Sequence, residues 1–100
     1  MKEGYTVKDQ ERPYFIICTA VDWVDIFTRK VYKDIVISSL DYCIKEKGMI
    51  LYGYVIMSNH IHLIVQSKDG RLSDLIRDFK KFTSKNILEA IQTEPESRKA

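Results

Sequence analysis

Two histidines occur in the chain, and they stand two residues apart as His60-Ile61-His62. Side chains alternate between the faces of an extended strand, so both imidazoles would project to one side and Ile61 to the other. Residues two apart in a strand are separated by about 6.5–7 Å, close enough for two rings to lean onto one metal ion. Two donors make an incomplete site, because a catalytic metal usually takes at least three protein ligands. Spacing alone therefore leaves two readings open: part of a metal site, or a pair of strand histidines with no ligand.

A second cluster is basic. Arg77, Lys81 and Lys85 recur every four residues with Lys80 alongside, and Asp78 is the single acid between them. Thr83 and Ser84 add hydroxyls suited to phosphate contacts. Such a stripe is either a solvated helix face or a contact for backbone phosphates that ignores base sequence and weakens steeply with salt. The formal charge of the whole chain is only +2, so any affinity for nucleic acid has to come from a local cluster of this kind.

The elements that must position these groups can be read from patterning. Pro13 leads into an aromatic and β-branched run at 14–20, which predicts a strand, and 21–28 reads as an irregular connection. Val31, Ile35, Val36, Leu40, Cys43 and Ile44 mark one face of a helix over 30–47, and Gly48 is a natural stop. A nearly continuous apolar run at 49–57 predicts a buried strand, Ser58-Asn59 supplies turn chemistry, and 60–66 forms the next strand. After a polar loop at 67–72, Ser73 is the expected N-cap of a helix whose apolar face holds Leu75, Ile76, Phe79, Phe82, Ile87 and Ile91.

The predicted class is therefore α+β: a ferredoxin-like β-α-β-β-α order, an antiparallel sheet with its third strand in the centre, and both helices on one face. The fourth strand of a full ferredoxin-like unit is missing, which leaves the first strand as an open edge able to pair with another copy. A two-residue turn at Ser58-Asn59 sets His62 opposite Val55 and Ile64 opposite Gly53. The histidine face would then carry Gly53, Val55 and Met57, with open space at the glycine for a ligand. Tyr52, Tyr54, Ile56, Ile61, Leu63 and Val65 would pack against the helices.

Composition agrees with one globular domain over 1–100, with flexible ends at 1–12 and 93–100: apolar residues make up 45% and charged residues 30%. No segment has the pattern of a signal peptide or membrane span, so a cytoplasmic location is expected. Cys18 and Cys43 lack metal-type spacing and are expected to be buried and reduced.

Three stretches taken together resemble the single-tyrosine HUH transposases, in particular the REP-associated tyrosine transposase type. They are Trp23-Val24-Asp25-Ile26-Phe27-Thr28-Arg29, the run from Tyr52 through Met57-Ser58-Asn59-His60-Ile61-His62-Leu63 to Val65, and Phe79-Lys80-Lys81-Phe82-Thr83-Ser84-Lys85. The resemblance runs from Tyr14 to Ile91. It implies that His60 and His62 hold a divalent ion, Mg²⁺ or Mn²⁺, against the scissile phosphate of single-stranded or hairpin DNA. It further implies DNA contacts from Arg77, Lys80, Lys81, Ser84 and Lys85 on the basic helix.

In that family a tyrosine on a later helix attacks the phosphate, leaving a 5′-phosphotyrosine link and a free 3′-hydroxyl. No tyrosine follows Tyr54 in this sequence, so no catalytic residue is assigned, and the expectation is a domain truncated before its nucleophile that binds but does not cut by itself. Two other functions compete with it. One is a non-enzymatic nucleic-acid module using aromatic residues of the open sheet face, which the expected position of Tyr52 and Tyr54 on the helix side disfavours. The other is an assembly partner that docks through its edge strand.

Overall fold

The computed structural model describes residues 9–19 and 26–93. It contains β1 (Tyr14–Thr19), a 3₁₀ turn (Ile26–Thr28), α1 (Lys30–Glu46), β2 (Met49–Ile56), β3 (His60–Ser67) and α2 (Leu72–Thr93). Of the ends expected to be flexible, 1–12 and 93–100, residues 1–8 and 94–100 lie outside the described residues, as do 21–25 of the connection expected at 21–28.

The three strands form one antiparallel sheet in the order β1-β3-β2, with β3 central as the sequence predicts. The two helices pack on each other and on one face of the sheet. Their shared core contains Ile16 and Cys18 from β1, Ile61, Leu63 and Val65 from β3, Val36 and Leu40 from α1, and Ile76 and Phe79 from α2. The odd-numbered residues of β3 thus point at the helices, and its even-numbered residues point away.

Helix α1 ends where its backbone reverses. Lys47 donates its N–H to the Cys43 carbonyl at 2.9 Å, and Gly48 follows at φ +71°, a left-handed conformation that costs glycine nothing. A Cβ at Gly48 would also meet Asp69 Oδ2 at 2.8 Å. The apolar face of α1 differs from expectation at two places: Tyr32 is buried and Ile44 is exposed. A spacing of 3.6 residues per turn lets Ile44 fit the edge of an apolar stripe, and only packing decides on which side of the boundary it falls.

Helix α2 begins at Leu72, so Ser73 lies inside its first turn and is not its N-cap. The donors exposed at a helix start can be satisfied from elsewhere in the chain, and here they are. Gln10 Oε1 accepts the Ser73 N–H at 2.8 Å, and Gln10 Nε2 donates to Ser73 Oγ at 3.0 Å. Ser67 Oγ accepts the N–H groups of Asp69 and Arg71 at 3.2 and 3.0 Å. The segment before β1 is further tied to the sheet by Gln66 Nε2, which donates to the Glu11 carbonyl at 2.7 Å.

Both cysteines are free and buried, as expected. Burial pushes the Cys18 thiol up to about 12 and the Cys43 thiol up to about 11, which suppresses the reactive thiolate at neutral pH. No described helix is long and apolar enough to cross a membrane.

Candidate metal and nucleic-acid site

Strand β3 carries the two histidines at its start and is paired on both sides, which makes it the most constrained strand of the sheet. His62 lies opposite Ile17 of β1 and Val55 of β2, and His60 lies opposite Thr19. The turn that launches β3 is held twice: Met57 N–H donates to the His60 carbonyl at 2.8 Å, and Phe27 N–H donates to the Ser58 carbonyl at 2.8 Å. Phe27 itself is buried in the core, so the hairpin tip is anchored to the packed interior.

The two imidazoles project from the side of the sheet that the helices leave open. Their ring centroids are 4.8 Å apart at an interplanar angle of 64°. His60 Nδ1 lies 2.8 Å from Asn59 Oδ1, and a carboxamide oxygen only accepts hydrogen bonds. The contact is a hydrogen bond when Nδ1 carries the proton, and in that tautomer the Nε2 lone pair of His60 is free toward the open face, the arrangement by which an outer partner can orient a histidine ligand. In the sequence Asn59 was legible as a turn residue and as part of the resembling stretch, but not as a partner of His60.

This donor set fits a cation that keeps open positions. No group of three or more His, Cys, Asp or Glu side chains able to hold a metal occurs among the described residues. An ion held by the two imidazole nitrogens would have its remaining positions open to water and phosphate oxygens, as where a divalent ion is shared between protein and substrate.

One feature of the same face departs from the sequence reading. The β2–β3 register sets Val55 opposite His62 and Gly53 opposite Ile64, as expected, but it shifts between Leu51 and Gly53, leaving Tyr52 as an extra, bulged residue. Leu51 then takes the position opposite Val65, on the helix side. Tyr52 is 59% exposed, and its hydroxyl donates to Oε1 of Gln66 at 2.5 Å, a residue of the histidine face. Tyr52 thus belongs to the open side and not to the helix side. Tyr54, opposite Leu63, keeps its expected register but is largely exposed at the sheet border. On the other flank Phe15 is 59% exposed and meets His62 edge-on, with centroids 5.4 Å apart.

The basic residues of α2 do not join this face. Lys81 and Lys85 line a groove between α2 and α1 with Tyr42, Lys47 and Asp78, where the Tyr42 and Phe82 rings stack at 4.8 Å. The sheet and a helix about 10 Å in diameter separate that groove from the imidazoles. Arg77 is engaged by Asp74 at 3.1 Å and Asp78 at 3.6 Å. Lys80 and Ser84 are rotated by about 100° from Lys81 and Lys85 and are half-buried, and desolvation lowers the Lys80 pKa. Thr83, read as a phosphate-contacting hydroxyl, is buried, and its Oγ1 has no hydrogen-bond partner among the described residues. Phe82, read as core, is instead at the surface. The two positions exchange roles because adjacent residues straddle the edge of the buried stripe.

Among known protein families, the one described as IS200-like transposase matches the chain over residues 11–99. Neither the curated proteins nor the solved structures contain a match.

Proposed function

Since the chain belongs to the IS200-like transposase family, we propose that its open sheet face binds single-stranded DNA by holding one phosphate through a divalent cation carried on His60 and His62. The single observation behind this reading is the imidazole pair itself, on one side of the central strand with centroids 4.8 Å apart and His60 oriented by Asn59. A cation bound there supplies Lewis-acid polarisation of the phosphate and fixes its orientation. The residues of the chain do the rest: the two rings position the ion, Asn59 sets the tautomer, and the paired backbone of β3 holds both rings in place.

All six tyrosines precede the histidine pair, whereas the family that the sequence resembles places its nucleophile after it, so none of them is proposed as the nucleophile. The activity proposed for the chain alone is metal-dependent binding of single-stranded or hairpin DNA without a covalent adduct. Arg77, Lys80, Lys81, Ser84 and Lys85 would add a salt-sensitive contribution from the helix layer, to DNA extending beyond the sheet face. The test is an oligonucleotide titration with Mn²⁺ and then with excess chelator. Binding that collapses with chelator supports the reading, whereas binding indifferent to it, or a denaturation-resistant protein–DNA adduct, contradicts it.

A homodimer contact is also proposed, at β1. The strand Tyr14–Thr19 carries no charged residue and is a border of the sheet among the described residues, a common route to strand pairing between copies. Sedimentation of the free protein decides the point: a mass that stays monomeric over a wide concentration range excludes it.

A further inference from the structure

We propose that Gly53 and Ile64 form the floor, and Phe15 and Tyr52 the walls, of a nucleobase subsite beside the histidine pair. The inference deepens the function proposed above and rests on it, since it serves the strand whose phosphate the histidines would hold.

The register builds the subsite. Ile64 pairs with Phe15 on one side and Gly53 on the other. It lies two residues beyond His62, about 6.6 Å along the strand, close to the step between neighbouring nucleotides in an extended chain. Above Gly53 there is open space: a Cβ built there would have no heavy atom within 4 Å.

The walls are already oriented. Phe15 stands edge-on to His62, and the Tyr52 hydroxyl is held by Gln66, whose amide group is in turn bound to the Glu11 carbonyl. Rings fixed before binding lose little conformational freedom on contact.

The chemistry of the face selects the occupant. None of its paired residues, from Phe15, Ile17 and Thr19 of β1 to Ile50, Gly53 and Val55 of β2, is a lysine, an arginine or a carboxylate, and β3 adds none. Such a surface offers nothing to a run of phosphates, but it accepts a flat, uncharged ring. Every base has a π-face, so stacking here is tolerant of sequence. A duplex keeps its bases stacked inside and presents none, which makes the subsite selective for single strands.

Gly53→Leu is the direct test. Gly53 is not among the glycines with positive φ, so leucine fits the backbone and fills only the open space. Mn²⁺ binding is measured first, then binding of a short oligothymidylate and of an abasic sugar-phosphate oligomer of equal length. We expect equal Mn²⁺ binding by wild type and variant. Wild type should prefer thymidylate by at least about fivefold, and the variant should lose that preference. Phe15→Ala should lose it as well. A variant that keeps the preference, or a wild type that has none, overturns the subsite alone. Failure of wild type to bind either oligomer overturns the strand-binding reading and the subsite with it. A change in sedimentation on Gly53→Leu with oligomer binding unaltered would assign the face to a second copy, and it also overturns the subsite.

Discussion

Replacing His60 and His62 together with alanine is expected to abolish Mn²⁺ binding while leaving the circular dichroism spectrum unchanged. The rings are half-exposed and face away from the helices, so their removal opens no cavity in the core. They are also the only donors the proposed site draws from the protein, and no alternative cluster of metal-binding side chains exists among the described residues. Asn59→Ala provides a graded companion. It removes the acceptor of the His60 Nδ1–H bond, and loss of such an outer partner weakens metal binding by about 10- to 100-fold. Calorimetric titration distinguishes the three proteins. If the double variant binds Mn²⁺ as wild type does, the ion does not sit on this pair.

Phe27→Ala is expected to destabilise the domain by about 3–5 kcal/mol, the usual cost of deleting a buried phenylalanine ring. That is a large part of the roughly 5–15 kcal/mol that holds a domain together, and it corresponds to a fall in melting temperature of more than about 10 °C. Phe27 is completely buried, and its N–H bonds the carbonyl of Ser58 at the tip of the hairpin. The loss should therefore loosen the turn that launches the histidine strand and weaken Mn²⁺ binding even below the melting temperature. Phe15→Ala is the contrast: an exposed ring, with an expected change within about 0.5 kcal/mol. A small melting shift for Phe27→Ala would mean that the 3₁₀ turn does not anchor the hairpin.

The order of elements, the central place of β3 and the side on which the histidines stand could all be read from the residues. A two-residue turn at Ser58-Asn59 determines the neighbouring register. Ile61, Leu63 and Val65 alternate with His60, His62 and Gln66, and Ile64 is the one apolar residue of β3 on the opposite side. The bulge could not be read. The run at 49–57 is apolar on both sides, and without alternation an inserted residue leaves no mark in the pattern. Its consequence is nonetheless large, because it carries Tyr52 to the open side and reverses the argument against base stacking there.

The basic helix could be read as a stripe but not placed relative to the histidines. Arg77, Lys81 and Lys85 share one side of α2, where Lys81 and Lys85 line the groove against α1 and Arg77 is flanked by Asp74 and Asp78. The cap on α2 was hidden as well, since its partner Gln10 lies 63 positions away in sequence.

The inserted residue in β2 would also limit how far strand pairing between copies could run. Fibrils grow when both borders of a sheet offer unbroken rows of backbone donors and acceptors. Here Tyr52 breaks the row on one border, while the β1 border is regular from Tyr14 to Thr19. Pairing of two copies through β1, the contact proposed above, would use the one regular border among the described residues and leave none for a third copy to extend.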